Sequence, residues 1–153
     1  MSSFKAFFQA VKSYEESVHA FARSRQIPSD EKITSFRTVA EGLPEHKAIV
    51  IAMADSLATI RQKALAAGVN SRDMGSTSMA DMLQWAVDAL VSVISIIPEN
   101  KPEMKAARVK LVKERDILYA IKGRLVAVGE TPVFQFATLL LGMSGSAANT
   151  RRQ

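Results

Sequence analysis

The chain contains no cysteine and only two histidines among its 153 residues. Without thiols it has no disulfide, no thiolate nucleophile and no cysteine-ligated zinc site. The sequence also lacks a glycine-rich phosphate loop, a nucleophile elbow and any spacing typical of a Ser/His/Asp triad. We therefore predict a protein that is not an enzyme and that uses no cofactor.

The two histidines do not have the spacing of a metal site. Glu16 and His19 match one half of a carboxylate-bridged site in a helical bundle, but such a site needs a second Glu-x-x-His sequence. The other histidine, His46, has no glutamate three residues before it. We expect no metal site, and we expect His19 to lie on the outer face of the first helix with Lys12 and Glu15.

Long uncharged apolar runs are also missing. The most apolar stretch, 79–97, contains Asp81, Gln84 and Asp88, and a carboxylate near the middle of a membrane span is costly. We interpret this stretch as a buried helix and expect no membrane span. The first residues lack the basic and apolar regions of a signal peptide. The expected location is the cytoplasm, or the interior of a host cell or virion if the protein is viral.

The apolar residues that are present follow a helical period. They recur at i, i+3, i+4 and i+7 along most of the chain, and no segment shows the alternation of a strand. The pattern predicts an all-α, single-domain bundle of five to six helices over 1–143, the sixth being short and covering 133–141. The last ten residues, 144–153, are expected to form a flexible tail with a basic end, Arg151-Arg152.

The fourth helix, about 78–97, is apolar almost all round, which is typical of a helix at the centre of a bundle. Smaller apolar stripes predict the inner faces of its neighbours, among them Ile33, Phe36 and Val39 of the second helix. The first helix is rich in aromatic residues, and the sixth is mostly apolar. This surplus predicts a homo-oligomer; the alternative is that the six helices cover one another.

The positive charge of the chain is concentrated in 101–124. This segment carries eight basic and three acidic residues, a net charge of +5 that equals the formal excess of the whole protein. Four of the bases recur at seven-residue intervals, which places them in one row along a helix: Lys101, Arg108, Arg115 and Lys122. Lys105 lies one turn after Lys101. Such a row on an otherwise neutral chain indicates an anionic partner.

Nucleic acid is the first candidate for that partner, because lysine and arginine along a helix neutralise successive phosphates and release counterions. We predict a binding surface of Lys101, Lys105, Arg108, Arg115, Tyr119 and Lys122, in which Tyr119 stacks on a base of a single strand. RNA and DNA are not distinguished. The alternative is a solvated helix face on which the bases pair with Glu103, Glu114 and Asp116.

Together these features predict a non-enzymatic, nucleic-acid-associated helical protein that acts as an oligomer. The alternative is a structural subunit of a shell, capsid or scaffold that assembles through apolar helix faces. The two differ in their response to salt, since phosphate binding weakens steeply with ionic strength and apolar assembly does not.

Overall fold

The computed structural model describes residues 3–69 and 78–127. Within these ranges it contains five α-helices and no strand, which confirms the predicted all-α bundle. The helices are α1 (Ser3–Ser24), α2 (Asp30–Glu41), α3 (Lys47–Ala66), α4 (Met79–Ile94) and α5 (Pro102–Ala127), and a short 3₁₀ turn, Pro44–His46, precedes α3. The predicted sixth helix at 133–141 and the tail at 144–153 lie outside the described residues.

Polar and glycine residues set the helix ends. The hydroxyl of Ser29 accepts the N–H of Lys32 at the start of α2, and the hydroxyl of Ser78 accepts the N–H of Asp81 at the start of α4. Each bond satisfies one of the backbone donors that a helix leaves unpaired in its first turn. Beyond α3, Gly68 has a φ of 79°, a conformation that glycine adopts without a steric cost.

Helix α4 lies at the centre of the bundle, as its composition predicts. It packs against α1, α3 and α5, and ten of its sixteen residues are buried. The regular helix ends at Ile94, three residues before the predicted boundary, although Ile97 is also buried. None of the helices that the structure describes is both long and apolar enough to cross a membrane.

Helix α2 packs mainly on α3, and its buried residues are Ile33, Phe36 and Ala40. The prediction that Val39 faces inward is wrong, since 40% of its surface is exposed. A helix on the edge of a bundle buries only a narrow strip, and the seven-residue step from Ile33 leads to Ala40. The small apolar residue therefore lies in the core and the larger one outside it.

Most of the apolar surface of α1 and α4 is covered within a single chain. Phe7, Val11, Val18 and Phe21 of α1 are all fully buried, whereas Phe4 of α1 and Val91 of α4 are 44% and 43% exposed. The bundle itself thus buries the larger part of two of the three surfaces that motivate the expected self-association. The third, 133–141, is outside the described residues, and self-association stays a prediction.

Arg25 closes the C-terminal end of α1 in an unfavourable backbone conformation. Its φ is 57°. Two hydrogen bonds close the end of the helix, from the N–H of Arg25 to the carbonyl of Phe21 (2.9 Å) and from the N–H of Gln26 to the carbonyl of Ala20 (3.2 Å). Glycine is usual at this position, because a β-carbon in the left-handed region costs about 1–2 kcal/mol.

We expect Arg25→Gly to raise the free energy of unfolding by about 1 kcal/mol, since glycine adopts this φ without strain. The matched control is Arg23→Gly, two residues earlier and inside α1. It should lower stability by about 1 kcal/mol, the cost of glycine within a helix. Urea denaturation of both variants measures the difference, and two changes of the same sign would contradict the strain at Arg25.

Candidate nucleic-acid interface

Helix α5 is the long outer helix that carries the basic segment. Its 26 residues extend for about 39 Å, and its buried face is marked by Met104, Leu111, Leu118 and Leu125 at seven-residue intervals. This face packs against α4 and α1. Because the buried face occupies one side only, the basic side chains are directed to the flanks and the outer surface of α5.

Five basic side chains of α5 and of the residue before it make no ion pair with any residue that the structure describes: Lys101, Lys105, Lys113, Lys122 and Arg124. All are exposed except Lys122, which is half-buried. Of the predicted binding residues, Lys101, Lys105 and Lys122 belong to this group. Their ammonium groups are available to an anion without the loss of an existing partner.

The two arginines of the predicted row are already engaged. Arg108 donates to the carboxylate of Glu99 at 2.9 Å, and Arg115 donates to one oxygen of Asp116 through both Nε (3.0 Å) and Nη2 (2.9 Å). About a third of each arginine side chain is exposed. A phosphate would have to compete with these carboxylates, so we expect Arg108 and Arg115 to contribute less to anion binding than the lysines.

Of the acids that the alternative of a solvated face pairs with the bases, Asp116 does pair with Arg115, whereas Glu114 is directed into the bundle. It is only 4% exposed and lies 2.9 Å, through Oε2, from Nδ1 of His19 on α1. Glu114 points inward because it lies on the buried side of α5, seven residues after the buried Ala107 and three after the buried Leu111. One of the three acids of the basic segment is therefore withdrawn from the surface.

His19 is exposed, as is Lys12, in agreement with the expected outer position, and its imidazole also contacts α5. Glu15, one turn earlier, pairs with Lys110 at 3.3 Å. The two pairs advance by four residues on each helix, so α1 and α5 run parallel. No group of three or more metal-ligating side chains occurs within 3–69 and 78–127.

Tyr119 lies near the C-terminal end of α5 with 61% of its surface exposed. Among the described residues it makes no hydrogen bond and no ring contact. The structure thus places the predicted aromatic residue on the surface beside Lys122, which follows it by one turn. Lys101 and Lys105 lie at the opposite end of the helix.

Asp88, the carboxylate of the apolar helix, is exposed and accepts a hydrogen bond from Nε2 of Gln84 at 2.7 Å. It lines a pocket of about 150 Å³ between α3 and α4, with Lys63 and Trp85 among the other lining residues. Pockets that hold a small molecule are usually about 300–1,000 Å³. The pocket beside Asp88 is smaller than this range.

Sequence reasoning missed the pair of His19 and Glu114, which contains the most buried charged side chain that the structure describes on α5. The seven-residue repeat from Ala107 to Glu114 indicates that Glu114 is buried. That indication is overlooked when a charged residue is placed on the surface because of its charge alone. Comparisons with protein-family models, with curated proteins and with solved structures find no match to the chain.

Proposed function

We propose that the chain binds the phosphate backbone of nucleic acid through the outer surface of α5, without catalysing a reaction. The observation that carries this proposal is the group of five basic side chains with no carboxylate partner among the described residues, Lys101, Lys105, Lys113, Lys122 and Arg124. Exposed cations clustered on one helix are what phosphate recognition requires.

The acids near this surface account for the bases that are already paired. Glu114 is buried against His19, while Glu15, Asp116 and Glu99 pair with Lys110, Arg115 and Arg108. The five basic side chains named above are left without a carboxylate partner among the described residues. Positive potential concentrated on one helix attracts polyanions, and does so most strongly at low salt.

The length of the surface fits several phosphates. Lys101 and Lys122 are separated by about 32 Å along the helix axis, close to the length of one turn of duplex. Lys105 lies one turn from Lys101, on the same side of α5. The row thus offers contacts at both ends of the helix, while the engaged Arg108 and Arg115 lie between them.

The test is a salt titration of oligonucleotide binding by fluorescence anisotropy. We expect the triple variant Lys101→Gln/Lys105→Gln/Lys122→Gln to bind more weakly and to reduce the slope of log affinity against log salt by about 2–3 units. The control removes three exposed lysines elsewhere, Lys32→Gln/Lys47→Gln/Lys63→Gln, and changes the net charge equally. It should leave the slope nearly unchanged.

Equal slopes for the two triple variants would show that α5 is not the phosphate surface. A wild-type protein with no salt-dependent affinity would exclude nucleic acid altogether. The alternative function, a structural subunit that assembles through apolar faces, would then take its place. Light scattering over a range of protein concentrations tests that assembly and the expected oligomer directly, because a constant monomer mass contradicts both.

A further inference from the structure

The exposed ring of Tyr119 has an open side. Side chains on a helix lean towards its N-terminus, so the residue that would cover the C-terminal side of the ring is the one four positions later. That residue is Gly123, and a β-carbon built there would meet no atom within 4 Å. Ala120, the next residue after Tyr119, is also small and exposed. Within 3–69 and 78–127, the ring therefore borders a patch of helix surface that no side chain covers.

Nothing in the described structure requires a glycine at 123. Its φ is not positive, no neighbour approaches it, and it lies inside a 26-residue helix. Glycine in a helix interior costs about 1 kcal/mol relative to alanine. Within the described structure, the effect of this glycine is to leave open space beside the ring of Tyr119. A group stacked on the ring would occupy that space.

The charges around this space favour an anion that carries a planar group. Lys122 lies about 4.5 Å further along the helix axis than Tyr119 and has no ion pair within the described residues. On the other side, Arg115 and Asp116 neutralise one another. A base on the ring of Tyr119 would thus have its phosphate beside Lys122, which makes no ion pair with any described residue.

We propose that Tyr119, Gly123 and Lys122 form a stacking site for one unpaired base, so that the nucleic acid recognised by α5 is single-stranded. This inference rests on the proposed function, since the lysines supply the phosphate contacts. A base within a duplex is stacked between its neighbours and cannot lie on the ring. Every base has an aromatic face, so the site is tolerant of sequence.

The experiment compares fluorescein-labelled single-stranded DNA, single-stranded RNA and duplex DNA of equal length, with the full chain. We expect Tyr119→Ala to weaken binding to the single strands by about 5- to 150-fold and to leave duplex binding within about twofold. Tyr119→Phe keeps the ring and should bind as the wild type does.

Gly123→Leu is the second variant, because leucine at 123 would lean back onto the ring of Tyr119 and fill the open space. We expect it to weaken single-strand binding by about 3- to 10-fold while its thermal midpoint stays at or above that of the wild type. The matched control Gly123→Ala, too small to reach the ring, should keep the wild-type affinity.

The outcomes separate this inference from the proposed function. If no oligonucleotide binds in a salt-dependent way, the proposed function fails. If the oligonucleotides bind but Tyr119→Ala and Gly123→Leu change single-strand and duplex affinities by the same factor, the phosphate surface stands and the stacking site is excluded. A loss confined to single strands, with both variants folded by circular dichroism, supports the site.

Discussion

His19→Ala should lower the free energy of unfolding by about 2–3 kcal/mol, since it leaves the buried Glu114 carboxylate without its partner. An ionised carboxylate only accepts hydrogen bonds, so Nδ1–H of His19 is the donor in the 2.9 Å contact. The side chain of Glu114 is 5% exposed, whereas that of His19 is 49% exposed. Water entering beside the smaller alanine keeps the expected cost below that of a fully enclosed pair.

The double variant His19→Ala/Glu114→Leu tests whether the unpaired buried carboxylate causes the loss of stability. It removes the buried charge as well as its partner, and leucine continues the apolar repeat of Leu111 and Leu118, so stability should return to within about 1 kcal/mol of the wild type. Lys110→Ala is the matched control, because it breaks the neighbouring pair with Glu15, whose side chain is 22% exposed and whose carboxylate therefore stays hydrated, and it should cost about 0–1 kcal/mol. Urea denaturation at pH 7 measures all three variants. Equal losses for His19→Ala and Lys110→Ala would contradict the buried-charge explanation.

Tyr14→Phe should lower the free energy of unfolding by about 1–2 kcal/mol at pH 7 and by less in alkaline solution. The hydroxyl of Tyr14 donates to the carbonyl of Ala89 at 2.9 Å and lies 2.8 Å from Oγ of Ser56, and so joins α1 to α4 and α3. The side chain of Tyr14 is fully buried. The substitution removes only the hydroxyl, and Ser56 keeps its hydrogen bond to the carbonyl of Met53.

The pH dependence follows from the same burial. Desolvation raises the pKa of Tyr14 well above its ordinary range, and the hydrogen bond with Ser56 offsets only part of this rise. The folded state therefore keeps the phenolic proton above about pH 10, while the unfolded chain loses it. The stabilisation is complete below that pH and falls by about 1.4 kcal/mol for each further pH unit.

We thus expect the stability difference between the wild type and Tyr14→Phe to shrink between pH 9 and pH 11. Other groups titrate in both proteins and cancel in the comparison. Tyr119→Phe, which alters the exposed tyrosine, should change stability at pH 7 by no more than about 0.5 kcal/mol. A difference that stays constant with pH would show that the Tyr14 hydroxyl is accessible to water.

The helical period was sufficient to predict the class of fold and the central position of α4. It also predicted the buried stripe of α3, where Met53, Leu57 and Ile60 are all buried. These residues are apolar on one side of a regular helix, and burial follows directly from their spacing. The error at Val39 arose where two apolar residues are adjacent, because the choice between them depends on the angle at which α2 meets α3.

The candidate site was less predictable. Spacing placed the bases on one helix, but it could not show that Arg108 is held by Glu99 from the preceding turn or that Lys122 has no carboxylate nearby in the described structure. Those facts depend on which side chains the tertiary fold brings together. The local repeat of α5 indicates that Glu114 points inward, but its pairing with His19 depends on the register of α5 against α1, which no local pattern contains.

The parallel arrangement of α1 and α5 also bears on the order in which the bundle assembles. The contact between Tyr14 and Ala89 closes a loop of 75 residues, and that between His19 and Glu114 closes one of 95. Residues 95–101 alone connect α4 to α5. Closing the 95-residue loop costs about 2 kcal/mol more in chain entropy than closing this short one. We therefore expect the contacts of α1 with α4 and α5 to form after the contact between α4 and α5 themselves.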